Sequence, residues 1–169
     1  HSSILIDLGK LKDLYCGLGQ VSFNYATTLA DSDLYQWYNI YFLTPAGFFN
    51  NFGKRVFYVQ LSALRRFFPF LYKPYSLWHA IHQDSSYMPG HTGTKYILTI
   101  HDLNFLYEKS IPKIKKRLTA LQKKIDRADV ICAISQFTAD EIRKNLNTGP
   151  KPIHVIYNGV ENSVTQIRT

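Results

Sequence analysis

Short apolar runs alternate with helix-periodic segments along the whole chain, and this alternation restricts the fold more than any other feature. The runs are residues 4–8 (ILIDL), 38–43 (YNIYFL), 55–61 (RVFYVQL), 77–82 (LWHAIH), 96–101 (YILTIH), 129–135 (DVICAIS) and 153–158 (IHVIYN). Helical patterns fill 19–30, 62–72, 112–127 and 139–146. Strands separated by helices build βαβ units, and near-continuous apolar strands belong in a parallel sheet covered on both faces. The expectation is therefore an α/β domain, Rossmann-like and doubly wound, with a mostly parallel sheet and helices on both faces. No repeat, low-complexity tract or second domain interrupts the chain, so residues 1–169 read as one domain. Segments 44–54 and 83–95, which contain Gly, Pro and polar residues, read as irregular connections.

One strand-to-helix turn carries a full local code. Thr138 and Glu141 have the spacing of a capping box, Phe137 and Ile142 occupy the positions of a hydrophobic staple, and Gly149 and Pro150 stop the helix. That reading starts the helix at 139 and leaves Ser135 at the carboxyl end of its strand. In open α/β sheets this is the edge where ligands bind.

Gly17 and Gly19 stand just ahead of the first helix and just after the first strand. A dinucleotide site would need a third glycine and an acid at the end of the second strand, to hold a ribose. Ser22 occupies the third position and the second strand ends YFLTPAG, so a nicotinamide dinucleotide is excluded. Two readings remain: bare backbone at a helix N-terminus, open to a phosphate, or simply a tight turn.

The net charge of +8 is concentrated in residues 113–127, which hold seven basic side chains against Asp126. Ile114, Leu118, Leu121 and Ile125 form one apolar stripe there, which makes a basic amphipathic helix. Its basic face can be solvated, or meet an anionic membrane or an acidic partner. Nucleic acid is disfavoured, because no aromatics interleave with the basic residues. No apolar run reaches the roughly 20 residues of a membrane span, and no basic segment precedes an apolar one at the start. Cys16 and Cys132 lie far apart, and Cys132 falls inside a strand run where a buried free thiol is expected. A cytoplasmic setting follows. The histidines have no Cys or carboxylate at credible ligand spacing, so no metal site is expected. Asp31-Ser32-Asp33 imitates a metal-binding Asp-x-Asp but falls at a helix end rather than at a strand's carboxyl edge.

Five segments then appear in a fixed order: GLGQVSFNYATTLA, LWHAIHQDSSYMP, KYILTIHDLNFLY, RADVICAISQFTADEI and KPIHVIYNGVE. In this order they resemble the N-terminal half of GT-B-type retaining glycosyltransferases of family 4, over residues 4 to 161. The resemblance implies one half of a GT-B fold, in which two Rossmann-like domains face each other. It implies transfer of a sugar from a nucleotide-sugar, as substrate rather than cofactor, with retention and without metal. Gly17, Gly19, Gln20 and Ser135 would then lie near the donor and its phosphates, and His101 matches the histidine that contacts the donor sugar. Asn158 and Gly159 match the turn at which the chain crosses to its second domain. His79 and His82 are three apart and point to opposite faces of a regular strand. His82 and Gln83, nearer the strand end, are the acceptor-side candidates, with Asp102 beside them, and His79 is read as packed.

The family's Glu-x7-Glu pair has no match, which places most donor contacts in a C-terminal half that these residues do not include. The isolated chain is therefore expected not to turn over a nucleotide-sugar. Implied partners are the donor, a glycan or lipid-linked acceptor, and an anionic membrane surface met through helix 113–127 on the inner face, but no nucleic acid. The alternative is a non-enzymatic α/β module that binds a glycan or an anionic surface through the basic helix and the aromatic-rich 35–75 region.

Overall fold

The first strand, β1 (Ser2–Asp7), pairs on one side with β2 (Tyr38–Thr44) and on the other with β4 (Leu77–Ala80). A computed structural model describes residues 1–159 and shows that every strand pairing is parallel. With β3 (Phe57–Gln60), β5 (Lys95–Ile100), β6 (Val130–Ala133) and β7 (Ile153–Val155), the order is β3-β2-β1-β4-β5-β6-β7. The chain winds outward to β3, then crosses back over β1 to start β4. The carboxyl ends of β1 and β4 thus flank a topological switch point, where open sheets of this kind bind ligands.

Adjacent residues of β1 face opposite layers. Leu5 joins a core with Trp78, Leu98, Ile100 and Ile131, covered by α4 (Ile111–Arg127) and α5 (Gln136–Asn145) through Leu121, Ile125, Ala139 and Ile142. Ile6 joins Ile40 and Phe42 beneath α1 (Gly17–Asp31), with Phe52 and Val56 from the connection after β2. The buried positions of α1 are Gly19, Ser22, Ala26 and Ala30, all small and at helical spacing, so its backbone lies close to the sheet. In α4 the stripe of Ile114, Leu118, Leu121 and Ile125 packs inward as the spacing predicts, and Lys113, Lys115, Lys116 and Arg117 face solvent.

The structure departs from the sequence reading in three places. Helix α5 starts at Gln136 because the cap is Ser135, whose extended backbone lets its hydroxyl accept the Thr138 N–H at 3.1 Å. Starting one turn earlier buries Thr138, and Glu141 accepts from the Tyr107 hydroxyl at 2.6 Å instead of closing a capping box. Phe137, 67% exposed, staples nothing. Helix 62–72 shrinks to α2 (Ala63–Phe67) followed by one 3-10 turn, Pro69–Leu71. Pro69 lacks the N–H that a continuous helix needs, and it pushes Phe68 out of helical geometry.

Helix α1 starts at Gly17, so both glycines belong to its first turn rather than to a loop ahead of it. Helices lie on both faces of the sheet as expected, α1 on one and α4 and α5 on the other. Ile6 of β1 is in register with His79, on the sheet face that also carries Thr99 and Cys132, which are in register with each other, and a cavity separates these residues from α1. A short α3 (Phe105–Glu108) links β5 to α4. Among the described residues no helix is long and apolar enough to cross a membrane.

Candidate functional site

At the carboxyl end of β1 the chain carries a buried acid, Asp7, inside an otherwise apolar run. Its carboxylate accepts from the Gly9 N–H at 2.9 Å and from the Ser85 hydroxyl, and desolvation raises its pKa from the usual carboxylate value. Asp7 therefore ties the loop after β4 to the loop after β1 across the switch point. The sequence reading passed over it, although an Asp within ILIDL was the available signal.

His101 follows β5. Its backbone N–H donates to Gln83 Oε1 and its ring Nε2 donates to the Ile81 carbonyl, both at 2.9 Å. With Nε2 carrying the proton, Nδ1 holds a lone pair and acts as an acceptor. The ring is buried and desolvation lowers its pKa, so the imidazole is neutral near pH 7. Gln83 uses both ends of its amide, since Nε2 donates to the Asp102 carbonyl at 3.0 Å. Its buried side chain thus holds the end of β5 in place. The Gln83 carbonyl in turn accepts from Lys124, which turns inward from the basic face of α4 and whose pKa is lowered by desolvation.

The two remaining histidines of this region do not face one cleft, and β4 ends at Ala80, before position 82. His79, read as packed, lines a cavity of about 590 Å³ between α1 and the sheet, where His101, Thr99, Cys132 and Tyr25 also lie. It bonds Thr99 Oγ1 at 2.8 Å and the Tyr25 hydroxyl at 3.2 Å, and desolvation lowers its pKa to about 4. His82, read as acceptor-side, is buried outside that cavity. Its Nδ1 accepts from the Asp84 N–H at 2.9 Å, and its Nε2 has no partner among the described residues. Desolvation lowers its pKa to about 3, and its ring centroid lies 5.4 Å from that of His101. Asn158 and Gly159 line the same cavity as His101. Asp102 accepts the Asn104 N–H at 3.0 Å, a local turn.

The first turn of α1 is sealed on one side and open on the other. Cys16 Sγ accepts the Gly19 N–H at 3.3 Å, and Gln20 Nε2 donates to the Leu14 carbonyl at 2.6 Å. A Cβ at Gly19 would fall 1.9 Å from the Asp13 carbonyl oxygen, whereas one at Gly17 would meet nothing within 4 Å. So Gly19 is glycine because residues 13–14 pack against it, and Gly17 faces open space. The Ser135 hydroxyl is occupied as the α5 cap and bonds Thr138 Oγ1 at 3.0 Å, while Thr138 Oγ1 donates to the His101 carbonyl. Among the described residues no group of three or more His, Cys, Asp or Glu is arranged to hold a metal ion. Asp31 and Asp33 flank the Ser32 cap at the end of α1.

A family model described as Glycosyltransferase Family 4 matches residues 24–164. The matched span contains His79, His82, His101, Ser135 and Asn158, and begins after the Gly17–Gly19 turn. Among curated proteins none matches the chain.

Proposed function

The chain belongs to glycosyltransferase family 4, and from that premise we propose that it is the acceptor-side half of a GT-B enzyme. In this reading the full-length enzyme moves a sugar from a nucleotide-sugar to a glycan or lipid-linked acceptor, with retention and without metal. The bond from the anomeric carbon to the leaving phosphate oxygen breaks, a bond to the acceptor oxygen forms, and the acceptor's hydroxyl proton passes to the departing phosphate. Positive charge develops on the sugar and negative charge on the departing diphosphate.

The observation that carries this reading is His101, a neutral imidazole at the carboxyl edge whose Nε2 is committed to a backbone carbonyl. The remaining Nδ1 lone pair suits a hydrogen bond from a sugar hydroxyl, and a neutral ring does not oppose positive charge on that sugar. Gln83 acts as a positioning residue, because it fixes the backbone on both sides of the His101–Asp102 peptide. Supporting the phosphate side, α1 directs the positive end of its dipole toward the open space beside Gly17.

The test is transfer by the full-length protein in the presence of a chelator, with the anomeric configuration of the product read by NMR. Retention without added metal is the expected result; inversion, or transfer only when metal is restored, overturns those parts of the reading. Changing His101→Ala is expected to lower kcat by roughly a hundredfold or more, the usual scale for losing a charge-stabilising contact in a transition state. Unchanged turnover in that variant removes His101 from the chemistry.

A further inference from the structure

The short helix α2 and the turn after it expose large apolar side chains in close succession: Leu64 (59%), Phe67 (65%), Phe68 (47%), Phe70 (61%) and Leu71 (44%). Scattered apolar residues on a surface are ordinary, but five within eight positions form a patch that marks an interaction site. This is not a loose loop awaiting collapse. The backbone of Pro69 and Phe70 is pressed against Gly90, where a Cβ would fall 2.3 Å from the Pro69 carbonyl carbon. His91 Nε2 bonds the Tyr72 carbonyl at 2.7 Å, and Tyr72 and Tyr75 already fill the core beneath.

The charge along this part of the chain has one sign. Between Asp33 and Asp84 the chain contains no Asp or Glu, while it carries Lys54, Arg55, Arg65, Arg66 and Lys73. The cations lie over aromatic rings: Arg66 is 4.7 Å from the Phe67 centroid, Arg65 is 5.4 Å from that of Tyr72, and Lys73 is 3.6 Å from that of Tyr41. Arg65 and Lys73 also share the wall of a cavity of about 530 Å³ at the base of the patch, with Tyr72 and Tyr75.

We propose that Ala63–Leu71 is a docking surface for an anionic lipid bilayer, with Phe67 and Phe70 entering the interface and Arg65, Arg66 and Lys73 meeting lipid phosphates. Apolar tips ringed by cations are what such an interface requires, since one set enters the acyl boundary and the other meets the headgroups. A second copy of this chain fits the patch poorly, because a two-fold contact would bring Arg65, Arg66 and Lys73 of both copies together. Helix α4 serves this purpose less well: its apolar stripe is already spent on the sheet, and Lys124 and Arg127 bond inward to backbone carbonyls. Because α2 follows the carboxyl end of β3, the bilayer would lie beside the edge of the sheet that carries His101. Docking stands apart from the transfer chemistry and does not depend on it.

Flotation of the 169-residue chain with phosphatidylcholine vesicles, with and without phosphatidylglycerol, tests the proposal. At low salt the chain is expected to float with the anionic vesicles and not with the neutral ones. Changing Phe67→Ser together with Phe70→Ser is expected to lower partitioning by about tenfold or more, with circular dichroism unchanged. Changing Lys113, Lys115 and Lys116 to Gln is expected to lower it less. A Phe70→Trp variant should shift its emission to the blue on anionic vesicles alone. Absence of flotation with anionic vesicles overturns the proposal, as does full retention of the double Phe variant. Lipid-free self-association that the double Phe variant abolishes also overturns it, by making the patch a protein interface.

Discussion

Gly17 and Gly19 are one residue apart, and the fold uses their missing side chains differently. At Gly19 the Asp13 carbonyl oxygen occupies the space a Cβ would need, 1.9 Å away, and Leu14 Cα follows at 3.0 Å. These contacts are backbone, so no rotamer change relieves them. Changing Gly19→Ala must therefore move the first turn of α1 off residues 13–14, at a cost of about 2–4 kcal/mol on the scale of a severe steric substitution. Gly17→Ala meets open space at a helical position, where alanine also gains helix propensity, and stability should change by less than about 1 kcal/mol. Urea unfolding of the two variants separates them; equal midpoints would mean that the close approach at Gly19 is not a structural requirement. The family resemblance places both glycines alike, near the donor and its phosphates. Local spacing cannot distinguish them, because the difference is made by a 3-10 turn at Gly9–Lys12 that brings residues 13–14 back against the helix.

Among the elements, legibility followed how local the determining physics was. All seven strand runs appear as strands, since apolar β-rich runs bounded by turn residues report directly on burial in a parallel sheet. The α4 stripe was equally plain because four apolar residues at helical spacing leave one way to pack. Caps were less plain: Ser135 and Thr138 are both good cap residues, and only burial of Thr138 and its bond to the His101 carbonyl decide for Ser135. That bond joins the start of α5 to the end of β5, so the cap also steadies the segment carrying His101. Changing Ser135→Ala removes the acceptor for the Thr138 N–H and should destabilise the domain by about 1 kcal/mol. Chemical denaturation reads this directly, and an unaltered free energy would return the cap to Thr138. Pro69 is visible in the sequence as a break inside the helical pattern of 62–72. In the structure the proline decides, and the apolar side chains that a long helix would have buried remain at the surface.

At the scale of the whole molecule, the strand order brings three histidines, from the end of β4, the loop after it and the end of β5, close together and largely out of solvent. Their shared burial was the least legible part of the site, because it depends on contacts among β4, β5 and α1 that no single segment of sequence carries. Burial has a consequence that requires no ligand. Desolvation lowers the pKa of His79 to about 4 and that of His82 to about 3, and lowers that of His101 as well. In the unfolded chain each imidazole takes up its proton near 6.5, so below that pH the unfolded state binds more protons than the folded one. Stability is therefore complete above pH 6.5 and declines as the pH falls toward 4. For His79 alone the loss is on the order of 3 kcal/mol at the acid end. Asp7 acts with the opposite sign, because its raised pKa lets the folded state take up a proton more readily than the unfolded chain does. One carboxyl offsets only part of three histidines, so the net slope follows the imidazoles. Urea midpoints measured from pH 7.5 down to about 4.5 should stay level to roughly 6.5 and then fall. The slope should shrink when His82→Asn replaces one imidazole with a group that does not titrate and can still accept the Asp84 N–H. A midpoint that stays flat through the window, or a decline that the His82 variant leaves unchanged, would mean that these rings are not held neutral by burial.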